Sequence, residues 1–111
     1  MLHEKLMCYR KAVLLAQGFC NEGARWPRGF GYLFDQLRRA MSSVVLNIAE
    51  GNAKLSRPDR RRFFRIARAS TAEVAACVDL MIAFGLTSKE QGSHDKTQLE
   101  LVSKLLWGLI R

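Results

Sequence analysis

Arg60, Arg61, Arg62, Arg65 and Arg68 crowd into two and a half turns of a helical pattern with no acid among them. Arg61, Arg65 and Arg68 stand at i, i+4 and i+7, one line along a helix. Solvated helix faces usually alternate opposite charges at that spacing, which is worth a few tenths of a kcal/mol, and like charges repel by about as much. An uncompensated line therefore reads as a surface whose repulsion a polyanion relieves, rather than as one that only meets water. Arginine's planar fork matches phosphate or carboxylate oxygens two at a time. With Arg38, Lys54 and Arg57 nearby in the chain, the chemistry offered is phosphate-backbone contact with RNA or DNA, with little base specificity.

Other residue types that do chemistry are poorly placed for it. Glu73 and Ser70 lie near the core side of the same helix, but no nucleophile and base stand at a useful spacing, so a general-base role is not supported. Glu73 is expected instead to find a cation, with Arg39 offered for it. Cys8, Cys20 and Cys77 are an odd number, widely spaced inside apolar patterns, with no C-x-x-C pair. They read as buried or bystander thiols, and no metal site is expected. His3 and His94 have no ligand at spacing. The glycines from Gly29 to Gly31 lack the lysine and serine of a phosphate-binding loop. The reading is a protein that is not an enzyme and has no cofactor.

Four helical segments must position the arginines. The first, about His3 to Asn21, has an apolar face of Leu6, Tyr9, Val13, Ala16 (or Gln17) and Cys20. Gly23, Trp26-Pro27, Gly29 and Gly31 then break the pattern, and Trp26 reads as a loop aromatic covering the end of a bundle. The second, about Phe30 to Asn52, repeats Leu33, Leu37, Ala40, Val44 and Ile48 on a core face. Gln36, Arg39, Ser43 and Glu50 form a polar stripe beside it, with Asn47 at its border, which suggests contact with another helix. Arg38 and Arg39 point about 100° apart; Arg39 is read as structural and Arg38 as the surface contact. Gly51 reads as the C-terminal cap.

Ser56, Pro58 and Asp59 open a third helix to about Phe84. Phe63, Ile66, Ala67, Ser70, Val74, Cys77, Val78 and Met81 form its expected core stripe, the arginine line lies roughly opposite, and Gly85 ends it. Thr87 to His94 reads as a polar loop, with Asp95 capping a last helix to Arg111. That helix has a core face of Leu99, Val102, Leu105 (or Leu106) and Leu109. Trp107 and Ile110 form an extra apolar edge that hints at self-association.

A chain of 111 residues is expected to form one domain spanning residues 1–111. Its net charge of +8 is concentrated: eleven bases and three acids between Arg25 and Arg68 account for all of it, and the remainder balances. A confined basic field favours a polyanion, nucleic acid first and acidic membrane second. No eighteen-residue apolar run and no signal-peptide layout occur, so a cytoplasmic protein without a membrane span is expected.

The stretch QLRRAMSSVVLNIAEG followed by RRFFRIARASTAEV resembles the four-helix-bundle family first associated with intervening sequences in bacterial 23S rRNA genes. Relatives of the accessory variability protein of diversity-generating retroelements belong to that family too. The resemblance runs through Gln36, Leu37, Arg38, Arg39, Ala40, Ser43, Asn47, Ile48, Ala49, Glu50 and Gly51, then Phe63 or Phe64, Ala67, Ser70 and Glu73. Val44 replaces a usual isoleucine. Ala69 replaces a usual glycine, which would push the packed helices slightly further from each other were that glycine a packing notch. The resemblance implies an all-α, antiparallel up-down four-helix bundle, assembled as a homo-oligomer into a pentameric ring with a basic surface. It also implies RNA or DNA as ligand and, in the retroelement relatives, a reverse transcriptase as partner. The alternative is an interaction adaptor whose basic face docks an acidic protein.

Overall fold

The computed structural model describes residues 2–111 and consists of four helices: α1 (Leu2–Gly23), α2 (Gly31–Ala53), α3 (Arg57–Ala83) and α4 (Lys89–Ile110). Each packs on its neighbours in chain order, α1 closes on α4, and the diagonal pairs make no close backbone approach. As one helix advances its neighbour recedes: Gln36 meets Glu73 and Ser43 meets Ser70, while Arg68 meets Ser103 and Asp79 meets Lys96. Neighbours are therefore antiparallel, in the up-down arrangement that short connections enforce. Helices of 22 to 27 residues run roughly 33–40 Å at 1.5 Å per residue, matching a body of 45 × 23 × 18 Å. Among the described residues no helix is long and apolar enough to cross a membrane.

The core faces of α2 and α4 follow the sequence period, with Leu33, Leu37, Ala40, Val44 and Ile48 against Leu99, Val102, Leu106 and Leu109. Ser56 caps α3, accepting from the Asp59 backbone N–H at 3.3 Å, with Pro58 in the first turn. At the other end Gly85 has φ 72°. The Leu86 N–H reaches the Met81 carbonyl at 2.8 Å, and the Gly85 N–H reaches Ile82 at 3.1 Å. That is the left-handed glycine cap its position suggests. Trp26 covers the end of the bundle, half-buried and edge-on to Phe34 with ring centroids 5.7 Å apart.

Four expectations are corrected. On α1 the buried side chains are Cys8, Ala12 and Phe19, while Leu6, Tyr9, Val13 and Cys20 are exposed. The core face lies about one residue step round the helix, because a second apolar stripe carries the small side chains that let α2 and α4 approach. On α3, Phe64 rather than Phe63 enters the core, Thr71 is buried, and Ile66 is 41% exposed. Helix α4 starts at Lys89: the Ser88 hydroxyl caps it, accepting from the Gln91 N–H at 3.0 Å. Asp95 instead lies inside the helix, 7% exposed, and accepts from Gln91 Nε2 at 2.9 Å. Burial raises its pKa above the usual carboxylate value, against that hydrogen bond and the nearby His94.

The fourth concerns Gly51. Helix α2 continues past it to Ala53, with Lys54 as cap, and its φ is not positive. Gly51 is buried where the Phe64 ring lies against its backbone, so that a Cβ there would fall inside the ring's van der Waals surface. It is a packing notch rather than a terminator.

Candidate nucleic-acid interface

The polar stripe of α2 forms a seam with α3. Gln36 Nε2 donates to Glu73 Oε2 at 2.6 Å, and the Ser43 and Ser70 hydroxyls lie 2.7 Å apart. Asn47 turns back within its own helix, donating to the Ser43 carbonyl at 2.8 Å and its hydroxyl at 3.1 Å. Bonds of this type contribute about 0.5–1.5 kcal/mol each, and the two that cross between helices set the register of α2 against α3. The pairing expected of Arg39 with Glu73 is absent: Glu73 is exposed and takes the Gln36 amide. Arg39 has no hydrogen bond or ion pair with another described residue. Arg38, the arginine expected to meet a ligand, is the engaged one, 3.1 Å from Asp35 and 4.9 Å above the Phe34 ring. Glu50 pairs with Lys54 at 3.4 Å.

Arg61, Arg65 and Arg68 keep their common line, but it leans toward α4 rather than standing opposite the core, and the other arginines of α3 leave it. Their helical angles spread them from the α2 side to the α4 side. Arg62 sits 4.5 Å over the Phe63 ring, which Lys54 approaches to 5.2 Å, so two cations share one aromatic platform. Arg61 is half-buried, its Nε enclosed without an acceptor. Arg60 donates to the Leu55 carbonyl at 2.6 Å and Arg57 to the Arg111 carbonyl at 3.3 Å. Arg65 is exposed. Arg68 reaches α4, where its Nε donates to Ser103 Oγ at 3.2 Å and its guanidinium lies 5.0 Å over the Trp107 ring. Among the described residues none of these six arginines has an Asp or Glu side chain at ion-pairing distance.

The fold gathers this charge more tightly than the chain order does. With the Ser43–Ser70 contact as the waist, one end holds the first half of α1, the second half of α2, the first half of α3 and the second half of α4. That end carries twelve bases against four acids (Glu4, Glu50, Asp59 and Glu100). The other end carries six of each. The whole net charge of +8 thus sits at one end of the bundle. Lys5, Arg10, Lys11, Lys104 and Arg111 join it from α1 and α4, residues the sequence reading passed over because their local segments are balanced. Ser103 was missed, and Trp107 was read only as part of an apolar edge, for a related reason. They share a face at i and i+4, but only the antiparallel pairing of α4 on α3 brings that face to Arg68.

The chain is similar in fold to a crystal structure from Bacteroides thetaiotaomicron, described as a protein with unknown function from the S23 ribosomal protein family. The two share 21% identity over 96% of this chain and 97% of that one, with a TM-score of 0.83. A comparison with curated proteins finds no match. The family model described as 23S rRNA-intervening sequence protein matches residues 4–108. With nearly the whole chain matched and the four-helix fold shared, this protein belongs to the 23S rRNA-intervening sequence protein family.

Proposed function

We propose that the protein is a non-enzymatic, oligomeric nucleic-acid-binding protein that holds the phosphate backbone of RNA or DNA against the basic end of its bundle. The observation that carries this reading is the segregation of charge: all the net charge lies at one end, and six arginines of α3 there lack an Asp or Glu partner among the described residues. Binding a polyanion relieves that repulsion and releases its counterions. Exposed Arg62 and Arg65 present their forks to solvent for phosphate oxygens. No general base is assigned, since Glu73 is bonded to an amide and Ser43 and Ser70 to each other. A cytoplasmic setting and an accompanying reverse transcriptase rest on the sequence reading and on the family resemblance.

Self-association is supported by two exposed stripes. Leu2, Leu6, Tyr9 and Val13 alternate four- and three-residue steps along α1 and are 72, 46, 36 and 39% exposed. Ile66, Ala69, Glu73, Ala76 and Leu80 repeat the same steps on the outer face of α3. That spacing is the seam of a left-handed helix pair. The two stripes differ, and α1 and α3 run parallel. One copy's α1 against the next copy's α3 is therefore a heterologous contact, of the kind that closes rings, and five copies is the number the resemblance implies.

The test is fluorescence anisotropy with short single-stranded RNA, single-stranded DNA and duplex across a salt series, with oligomer mass measured in the same buffers. Log affinity should fall linearly with log salt. Replacing Arg61, Arg65 and Arg68 together by alanine should weaken binding to all sequences alike, lower the slope by about one per lost contact and leave the helical signal intact. Unchanged affinity in that variant refutes the face. An intact oligomer that binds nothing at low salt moves the assignment to an acidic protein partner.

A further inference from the structure

Between α3 and α4, within the basic end, lies a depression of about 460 Å³ lined by Arg65, Arg68, Ala69, Ala72, Ser103, Trp107 and Ile110. Trp107 is 49% exposed there, a large apolar ring left open in the most cationic region of the molecule. Its cation is positioned: the bond from Arg68 Nε to Ser103 Oγ at 3.2 Å anchors one side of the guanidinium over the indole at 5.0 Å. The Nη groups remain available for an anion. Arg65 stands one turn back on the same rim without a carboxylate partner among the described residues, and Ala69 and Ala72 keep the floor between them shallow.

We infer that this depression is a stacking subsite for one unpaired nucleobase of a single strand, which extends the Trp107–Arg68 stack while Arg65 takes its phosphate. The inference rests on the nucleic-acid reading above and adds a preference to it. Phosphates are equally reachable on single strands and duplexes, so the arginine field alone does not discriminate. A base inside a duplex is already stacked, whereas an unpaired one offers its face to an aromatic ring or a guanidinium plane. A half-exposed tryptophan under a fixed guanidinium therefore adds affinity for single strands only.

The test uses the two tryptophans. A Trp26→Phe variant leaves Trp107 as the only indole, and short single-stranded RNA is titrated against its emission, excited where tyrosine does not absorb. Anisotropy of a labelled strand reports binding in parallel. Single-stranded RNA should quench Trp107 in step with binding, and the duplex of the same sequence should bind with little quenching. In the parent chain, Trp107→Leu should lower single-strand affinity by about ten-fold, the scale of one lost base stack, with duplex affinity unchanged. Arg68→Lys keeps the charge but loses the plane, and should lower single-strand affinity more than duplex affinity. Circular dichroism checks both folds, and the quenching experiment does not require Trp107 to be replaced. Bound single strand without quenching, or equal losses for both nucleic acids, overturns the subsite while a steep salt dependence still upholds the electrostatic reading. If neither nucleic acid binds at low salt, both readings fall.

Discussion

At Gly51 a hydrogen atom does what no side chain can do there. Helix α2 turns this position inward on the stripe of Leu33, Val44 and Ile48, and the Phe64 ring of α3 fills the space. Gly51→Ala would gain about 1 kcal/mol of helix propensity and meet an overpacking cost of about 1–3 kcal/mol. Because the obstacle is a large ring under backbone, we expect a net loss of about 2 kcal/mol in denaturant unfolding. Phe64→Leu should also destabilise the protein, yet the double variant should be less harmed than the two losses added. A strictly additive double variant would show that the notch and the ring are not in contact. The glycine itself was legible in the sequence, but its purpose was not. A glycine near a helix end fits a cap and a notch equally well, and only the partner's ring decides. The same holds for Arg38 and Arg39, whose adjacency shows that they diverge but not which one meets a carboxylate.

Helix α1 carries two apolar stripes about 100° apart, and this is where periodicity alone misleads. Leu6, Tyr9 and Val13 form the more hydrophobic stripe, yet the chain buries Cys8, Ala12 and Phe19. In α2 and α4 the large residues largely lie on one side, so their core faces were readable from spacing, as was the polar seam of α2, whereas α3 buries Phe64 and Thr71 in place of Phe63 and Ile66. In α1 the larger stripe stays exposed, and the proposed contact with a neighbouring copy would account for it. Thiol chemistry separates the two stripes. Burial pushes the Cys8 thiol up to about 12, and burial, then the charge of Glu73, raises that of Cys77. A raised thiol pKa leaves little thiolate near neutral pH, so both should resist alkylation until the protein unfolds. Cys20 is exposed and continues the outer stripe. Its native labelling should be fast in dilute protein and slow as concentration drives assembly. A labelling rate independent of concentration, across a range in which the mass changes, would remove α1 from the contact.

On the scale of the whole molecule the governing feature is a dipole-like division of charge, twelve bases to four acids at one end and parity at the other. The sequence showed a basic middle; the up-down topology folds that middle onto the two chain ends and makes it one pole. Such a pole opposes folding by self-repulsion, and more so in a ring whose copies align in parallel. Without nucleic acid, melting temperature should therefore rise with added salt up to the range where the Debye length falls to about 8 Å. In low salt a short polyanion should raise it further, by mass action on the folded state. Arg65→Ala with Arg62→Ala removes two exposed charges from the pole and should flatten the salt dependence without lowering stability at low salt. The two effects of salt then run in opposite directions in one protein, stabilising the free fold while weakening its complex. On the proposed function, nucleic acid and counterions compete for the same pole, and that competition would link the stability of this bundle to its ligand.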